Sequence, residues 1–270
     1  MLKDITIGQY FPGDSVVHRM DSRIKIILTV AYIVMLFLSS NPAGLVVGFL
    51  FLWLSYGVSR IPYKMILKSL KPVAPIILFT GVLNMFFMDG DTLWQWGFLK
   101  ITREGVLMAV LMTVRIICLI AGTSLMTYTT SPIALTDAIE RLLSPLKRFR
   151  LPVHELAMMM TIALRFIPTL IEETDKIMAA QKARGADLET GGIVQRAKAL
   201  VPILIPLFVS AFRRADELAL AMECRCYHGG EGRTRMKQLR LRYYDFAACA
   251  FVALCIVGVL LVNRFVPAFL

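Results

Sequence analysis

The chain has 270 residues, of which 57% are hydrophobic, a mean hydropathy of +0.66 and a formal net charge of +11. Ordinary globular domains are about 45–50% apolar, so this content, gathered in several long runs, excludes a soluble globular protein and points to one that crosses a membrane repeatedly. In that class the excess cation belongs to Lys- and Arg-rich cytoplasmic loops rather than to a nucleic-acid surface.

Residues 1–23 form a cytoplasmic lead-in. They are polar and carry Asp4, Asp14 and Asp21, which does not read as a secretory signal. Tyr10-Phe11-Pro12-Gly13 predicts a turn, and Asp14-Ser15 can cap a short helix. His18 is expected as a packed or solvated polar residue rather than a ligand.

Residues 24–130 predict a four-helix membrane region. The first helix covers 24–38, the turn Ser39-Ser40-Asn41-Pro42 is uncharged, and 43–58 returns. Both runs fall short of the roughly 20 residues of a perpendicular span, but Lys25 can snorkel to the headgroups. Arg60, Lys64, Lys68 and Lys71 make the next loop basic and cytoplasmic. The third span covers 73–87. Asp89, Asp91, Trp94 and Trp96 suit the outer interface, and the fourth span covers 105–128. Arg115 lies near the middle of that span, where a charge costs at least about 2.5–3.5 kcal/mol. It must face protein or water, either as a structural tie to a carbonyl or to Asn84, or as a pathway residue.

Four spans return the chain to the cytoplasm, so residues 131–243 are expected there as a coupling domain of about three long helices. Arg141, Lys147, Arg148 and Arg150, and the cluster Arg233, Arg235, Lys237, Arg240 and Arg242, agree with that side. Ser131-Pro132 is a helix start. That helix is expected to end near Leu146, and Leu151-Pro152 opens the next. Gly229-Gly230-Glu231-Gly232 is a flexible connector. A last span within 244–264, flanked by Tyr243 and Tyr244, leaves the C-terminus outside. The expected fold is all-α, with about five transmembrane helices.

Two helical patterns in the coupling domain share a design. One runs from Leu156 through Arg165, Pro168, Glu172 and Glu173 to Ala183-Arg184-Gly185. The other runs from Ile193 through Pro202, Pro206, Arg213 and Arg214 to Cys224-Arg225-Cys226. Each is apolar first and charged later. Such a helix can lie under the bilayer and point its charged end at a soluble partner. The alternative makes both apolar runs membrane spans and puts residues 172–198 outside. Arginine suits a docking tip because its planar fork bonds carboxylates bidentately and keeps its charge. Ala183 and Gly185 let a partner approach, and Gly185 can end the helix in a left-handed conformation. Against this, a cation at a helix C-terminus is also favoured by the dipole alone. Among the cysteines, Cys118, Cys249 and Cys255 sit in apolar runs as small hydrophobes. Cys224 and Cys226 with His228 do not close a tetrahedral zinc site, and no second ligand pair follows. No metal or other cofactor is expected.

These residues resemble the transmembrane T component of energy-coupling factor transporters, the vitamin and metal importers built on ATP-binding cassettes. The resemblance covers nearly the whole chain. It is most specific at Gly13-Asp14-Ser15, His18-Arg19, Asp21, Arg23-Ile24-Lys25, Arg165-Phe166-Ile167-Pro168, Glu172-Glu173 and residues 181–185. It implies that Arg184 and Arg225 end crossed coupling helices and seat in grooves on two ATPase subunits. It also implies that a separate small membrane protein holds the substrate. The first tip matches the family's Ala-Arg-Gly. The second has Cys224 and Cys226 as flanks and no glycine, so its helix is expected to end at Gly229 or Gly230.

No Gly-x-x-x-x-Gly-Lys-[Ser/Thr] loop is present to cradle phosphates, and no nucleophile–base constellation stands out. The expected role is a non-catalytic lever driven by partner ATPases in the cell membrane. Met158-Met159-Met160 suits either a changing partner surface or a core. A self-sufficient channel or secondary transporter would need ionisable groups along a pathway, and the clear spans carry almost none besides Arg115. A membrane-bound enzyme lacks a catalytic cluster.

Overall fold

The computed structural model describes residues 10–39, 41–88, 92–96, 99–149, 151–186, 192–229, 239 and 241–265. Among these the chain is helical apart from one hairpin. The elements are α1 (Val16–Arg19), α2 (Ser22–Leu38), α3 (Pro42–Ser59), α4 (Tyr63–Leu70), α5 (Ala74–Phe87), β1 (Thr92–Trp96), β2 (Leu99–Thr102), α6 (Arg103–Thr129), α7 (Pro132–Leu143), α8 (Val153–Ala183), α9 (Ile193–Glu223) and α10 (Tyr243–Phe265). Four of the described helices, α3, α6, α8 and α10, are long and apolar enough to cross a membrane, and α4 with α5 makes a fifth if the pair is one span bent by 65°. The protein is an all-α polytopic membrane protein. The chain divides into two units, one of residues 8–135 and 238–270, the other of residues 1–7 and 136–237.

The first unit is a bundle built on α2, α3, α6 and α10. Its core holds Tyr32, Met35 and Leu36 of α2, Leu52 and Tyr56 of α3, Cys118 and Tyr128 of α6, and Val259 of α10. A Cβ on Gly122 would collide with the Tyr32 ring, so this glycine lets α2 and α6 close together. The tyrosine hydroxyls are spent on backbone: Tyr56 donates to the Ala121 carbonyl at 2.8 Å, and Tyr128 to that of Met65 at 3.0 Å. With no water in the hydrocarbon, such pairing is what makes a buried phenol tolerable.

At one end of the bundle the lead-in is tied down. Ser15 caps α1 as expected, and His18 is satisfied by the Ser15 hydroxyl at 2.7 Å and the Phe11 carbonyl at 3.0 Å. Lys25 Nζ donates to the Thr129 carbonyl at 2.8 Å and to that of His18 at 3.2 Å. The Asp21 amide donates to Asp245 at 3.1 Å, and the Asp21 carboxylate pairs with Arg23 at 2.8 Å. Burial alone would raise the Asp21 pKa; the hydrogen bonds and charge of Arg23 outweigh it and hold the carboxyl below its ordinary value.

Three details differ from the sequence reading. The basic loop after α3 contains a helix, α4, because Met65, Ile66, Ser69 and Leu70 turn one half-buried face to the bundle. Part of the loop between α5 and α6 is an antiparallel hairpin pairing Thr92 with Thr102 and Trp96 with Leu99, in keeping with the strand preference of aromatic and β-branched residues. Finally, α7 stops at Leu143 and continues as a 3-10 turn over Ser144–Phe149, since Pro145 has no N–H to give. Asp4, Asp89, Asp91, Gly230 to Gly232, Arg233, Arg235, Lys237 and Arg240 lie outside the described residues, as do the side chains of Trp94 and Trp96.

Candidate functional site

The second unit is dominated by α8 and α9. Each has 31 residues, a length of about 46 Å. They meet at a brace of polar groups. Glu173 accepts from the Ser210 hydroxyl and, at 3.1 Å, from the Arg214 guanidinium. Nearer the end of α8, Gln181 Nε2 donates to the Pro202 carbonyl at 3.3 Å. That carbonyl would have been the helical partner of residue 206, but Pro206 has no N–H. Gln181 therefore fills a bond that the proline leaves open. As α8 advances from 173 to 181, its partners on α9 retreat from 214 to 202, so the helices cross antiparallel. Arg184 lies eleven positions beyond Glu173, and Arg225 eleven beyond Arg214. The two tips thus point away on opposite sides of the crossing, each about 16 Å from the brace.

Both helices end in the same backbone motif. At the first, Gly185 N–H donates to the Lys182 carbonyl and Ala186 N–H to that of Gln181. At the second, Cys226 N–H donates to Glu223 and Tyr227 N–H to Met222. These are the paired bonds of a Schellman cap. Gly185 (φ 85°) and Cys226 (φ 54°) hold the left-handed position, and the arginine stands immediately before it each time. Helix α9 is therefore closed by a cap at Cys226, not by Gly229 or Gly230 as its composition suggested. Left-handed geometry costs a residue with a Cβ roughly 1–2 kcal/mol, which glycine at 185 avoids.

Arg184 and Arg225 are exposed, as are Ala183, Gly185, Cys224 and Cys226. Among the described residues no hydrogen bond or ion pair engages either guanidinium. Along the arms, away from the tips, apolar side chains are also open: Met159 is 54% exposed, Phe208 60% and Phe212 68%, while Ile203 is the one buried hydrophobic of α9 among the described residues.

The intramembrane candidates lie in the other unit. Arg115 donates to the Ser39 carbonyl at 2.5 Å, at the turn between α2 and α3. Asn84 donates to the Thr80 carbonyl of its own helix at 2.9 Å, so the two are not partners. Sequence spacing did not reveal the Glu173–Arg214 brace. The two residues are 41 positions apart on different helices, and the only hint was that the same offset separates the two tips.

The family described as cobalt transport protein, CbiQ, matches residues 13–236. The chain is also similar to proteins named energy-coupling factor transporter transmembrane protein EcfT. That of Clostridium kluyveri is 57% identical over 260 residues, 95% of this chain and 96% of the relative. That of Ruminiclostridium cellulolyticum is 55% identical over 263 residues, 97% of this chain and 98% of the relative. The Bacillus subtilis protein is 48% identical over 240 residues, 88% of this chain and 91% of the relative.

Proposed function

The chain belongs to the cobalt transport protein family, CbiQ, and on that premise we propose that it is the transmembrane energy-coupling subunit of an energy-coupling factor importer. Two ATPase subunits dock at Arg184 and Arg225. When they close on ATP they displace the tips, and the crossed helices carry that displacement to a separate membrane subunit that holds a vitamin or metal. This chain hydrolyses nothing itself. It sits in the cell membrane with its N-terminus and both tips in the cytoplasm.

The observation that carries this reading is the repeated tip: two equal helices, two Schellman caps, and two exposed guanidiniums without partners among the described residues, each eleven positions from one brace. An ordinary surface arginine needs no such repetition. A rigid cap with small neighbours holds a bidentate donor out for a carboxylate-lined groove, and the brace makes the two arms move together. The exposed apolar faces of α8 and α9 are then the surfaces that meet lipid and the substrate-holding subunit.

The test is the double variant Arg184→Glu, Arg225→Glu. It should insert in the membrane normally, fail to co-purify with the ATPases and lose uptake, while each single variant is milder. Normal assembly and transport by the double variant would refute the docking role. The topology is tested separately by cysteine labelling of intact cells at position 184, which should be protected from an impermeant reagent.

A further inference from the structure

A second charged feature lies on the bundle rather than the arms. Arg60, Lys64, Lys68 and Lys71 follow one another at helical intervals along α4 and its flanks, and all four are exposed. Residues 22–88 contain no Asp or Glu. Among the described residues no ion pair engages any of the four. The nearby cations behave differently, since Arg19 meets Asp14 at 3.8 Å and Arg23 meets Asp21 at 2.8 Å. Between the cations stand two large exposed side chains, Tyr63 at 69% and Leu67 at 62%.

The placement of α4 gives this face a direction. Its inner side is anchored, because Tyr128 donates to the Met65 carbonyl at 3.0 Å and meets the Ser69 hydroxyl. Tyr128 stands one residue before the end of α6, so α4 lies at the level where α6 and α3 end and α2 begins. The axis of α4 is bent 65° from that of α5. With α5 along the bilayer normal, α4 runs near the membrane plane, at the edge of the hydrocarbon. A tyrosine and a leucine among lysines at that depth fit acyl chains below and phosphates above.

We infer that α4 is an interfacial helix that binds anionic phospholipid, with Arg60, Lys64, Lys68 and Lys71 on the headgroup phosphates and Tyr63 and Leu67 among the chains. Each cation near an anionic leaflet adds attraction that falls off within a Debye length. The helix lies where the bent α4–α5 segment enters the membrane, so bound lipid also fixes how that segment leans on α6. This reading needs no ATPase docking and stands or falls apart from it.

The test uses the full chain in vesicles. Tyr63→Trp, in a background of Trp53→Phe, Trp94→Phe and Trp96→Phe, reports local lipid through quenching by brominated phosphatidylglycerol or brominated phosphatidylcholine. Quenching should favour phosphatidylglycerol by about fivefold or more, and the preference should vanish in molar salt and in Lys64→Gln, Lys68→Gln, Lys71→Gln. Independently, mass spectrometry of the otherwise unchanged chain should find bound phosphatidylglycerol that the lysine variant loses. Equal quenching by the two lipids overturns the proposal. So does a preference that survives the lysine changes, or position 63 shielded from both lipids, which would mean that a protein covers α4.

Discussion

The bundle and the crossed arms use the same apolar alphabet to opposite ends. In the bundle, Tyr32, Met35 and Leu36 are almost fully buried, and the buried Tyr56 hydroxyl, Lys25 and Asp245 have partners inside the unit. In the arms, Met159, Phe208 and Phe212 stand open and the tip arginines have no partner among the described residues. The lesson is about where stability comes from. A side chain surrounded by its own chain contributes to folding, whereas one left open contributes only when lipid or another subunit covers it.

The largest effect that could break this contrast comes from matched truncations. Tyr32→Ala should cost about 3–5 kcal/mol and lower the thermal midpoint of the detergent-solubilised chain. Phe208→Ala should change that midpoint little, its stability effect staying within about 0.5 kcal/mol, yet weaken capture of partner subunits. If both variants unfold alike, the arms carry their own core and the contrast is wrong.

A smaller effect is expected at the brace. Glu173→Gln removes one charge from a half-open pair and should cost about 0.5–1 kcal/mol. Its signature should be mechanical: spin labels at the two tips should show a wider spread of distances, with the bundle unchanged. The smallest effect compares the caps with each other. Cys226→Gly should relieve about 1 kcal/mol of left-handed strain and slow hydrogen exchange at the Tyr227 amide. Gly185→Ala should do the reverse at Ala186. Both are local, so neither should shift the bundle's midpoint.

Much of the bundle was legible in advance. The apolar runs predicted α2, α3, α5, α6 and α10 to within a few residues, because burial in lipid demands long uninterrupted stretches and satisfied backbone. The Ser15 cap and the Ser131-Pro132 start were legible too, since capping is a matter of adjacent residues. Helix α4 was not: the four cations within and beside it read as a loop, and only packing against Tyr128 shows why its apolar side makes a helix. The tips were legible as residues, Arg184 and Arg225 with their flanks, but the cap at Cys226 was not, because composition favours glycine in the left-handed position.

By itself, then, the sequence determined what local chemistry can determine: the membrane class, the helix runs, the cation-rich ends and the two arginine tips. Only the tertiary structure decided that Glu173 reaches Ser210 and Arg214, that Gln181 completes the bond Pro206 cannot make, and that Arg115 meets the Ser39 carbonyl rather than Asn84. Those pairings join residues tens of positions apart. No propensity or periodicity encodes which face of one helix meets another; that choice emerges when all the helices compete for the same contacts at once.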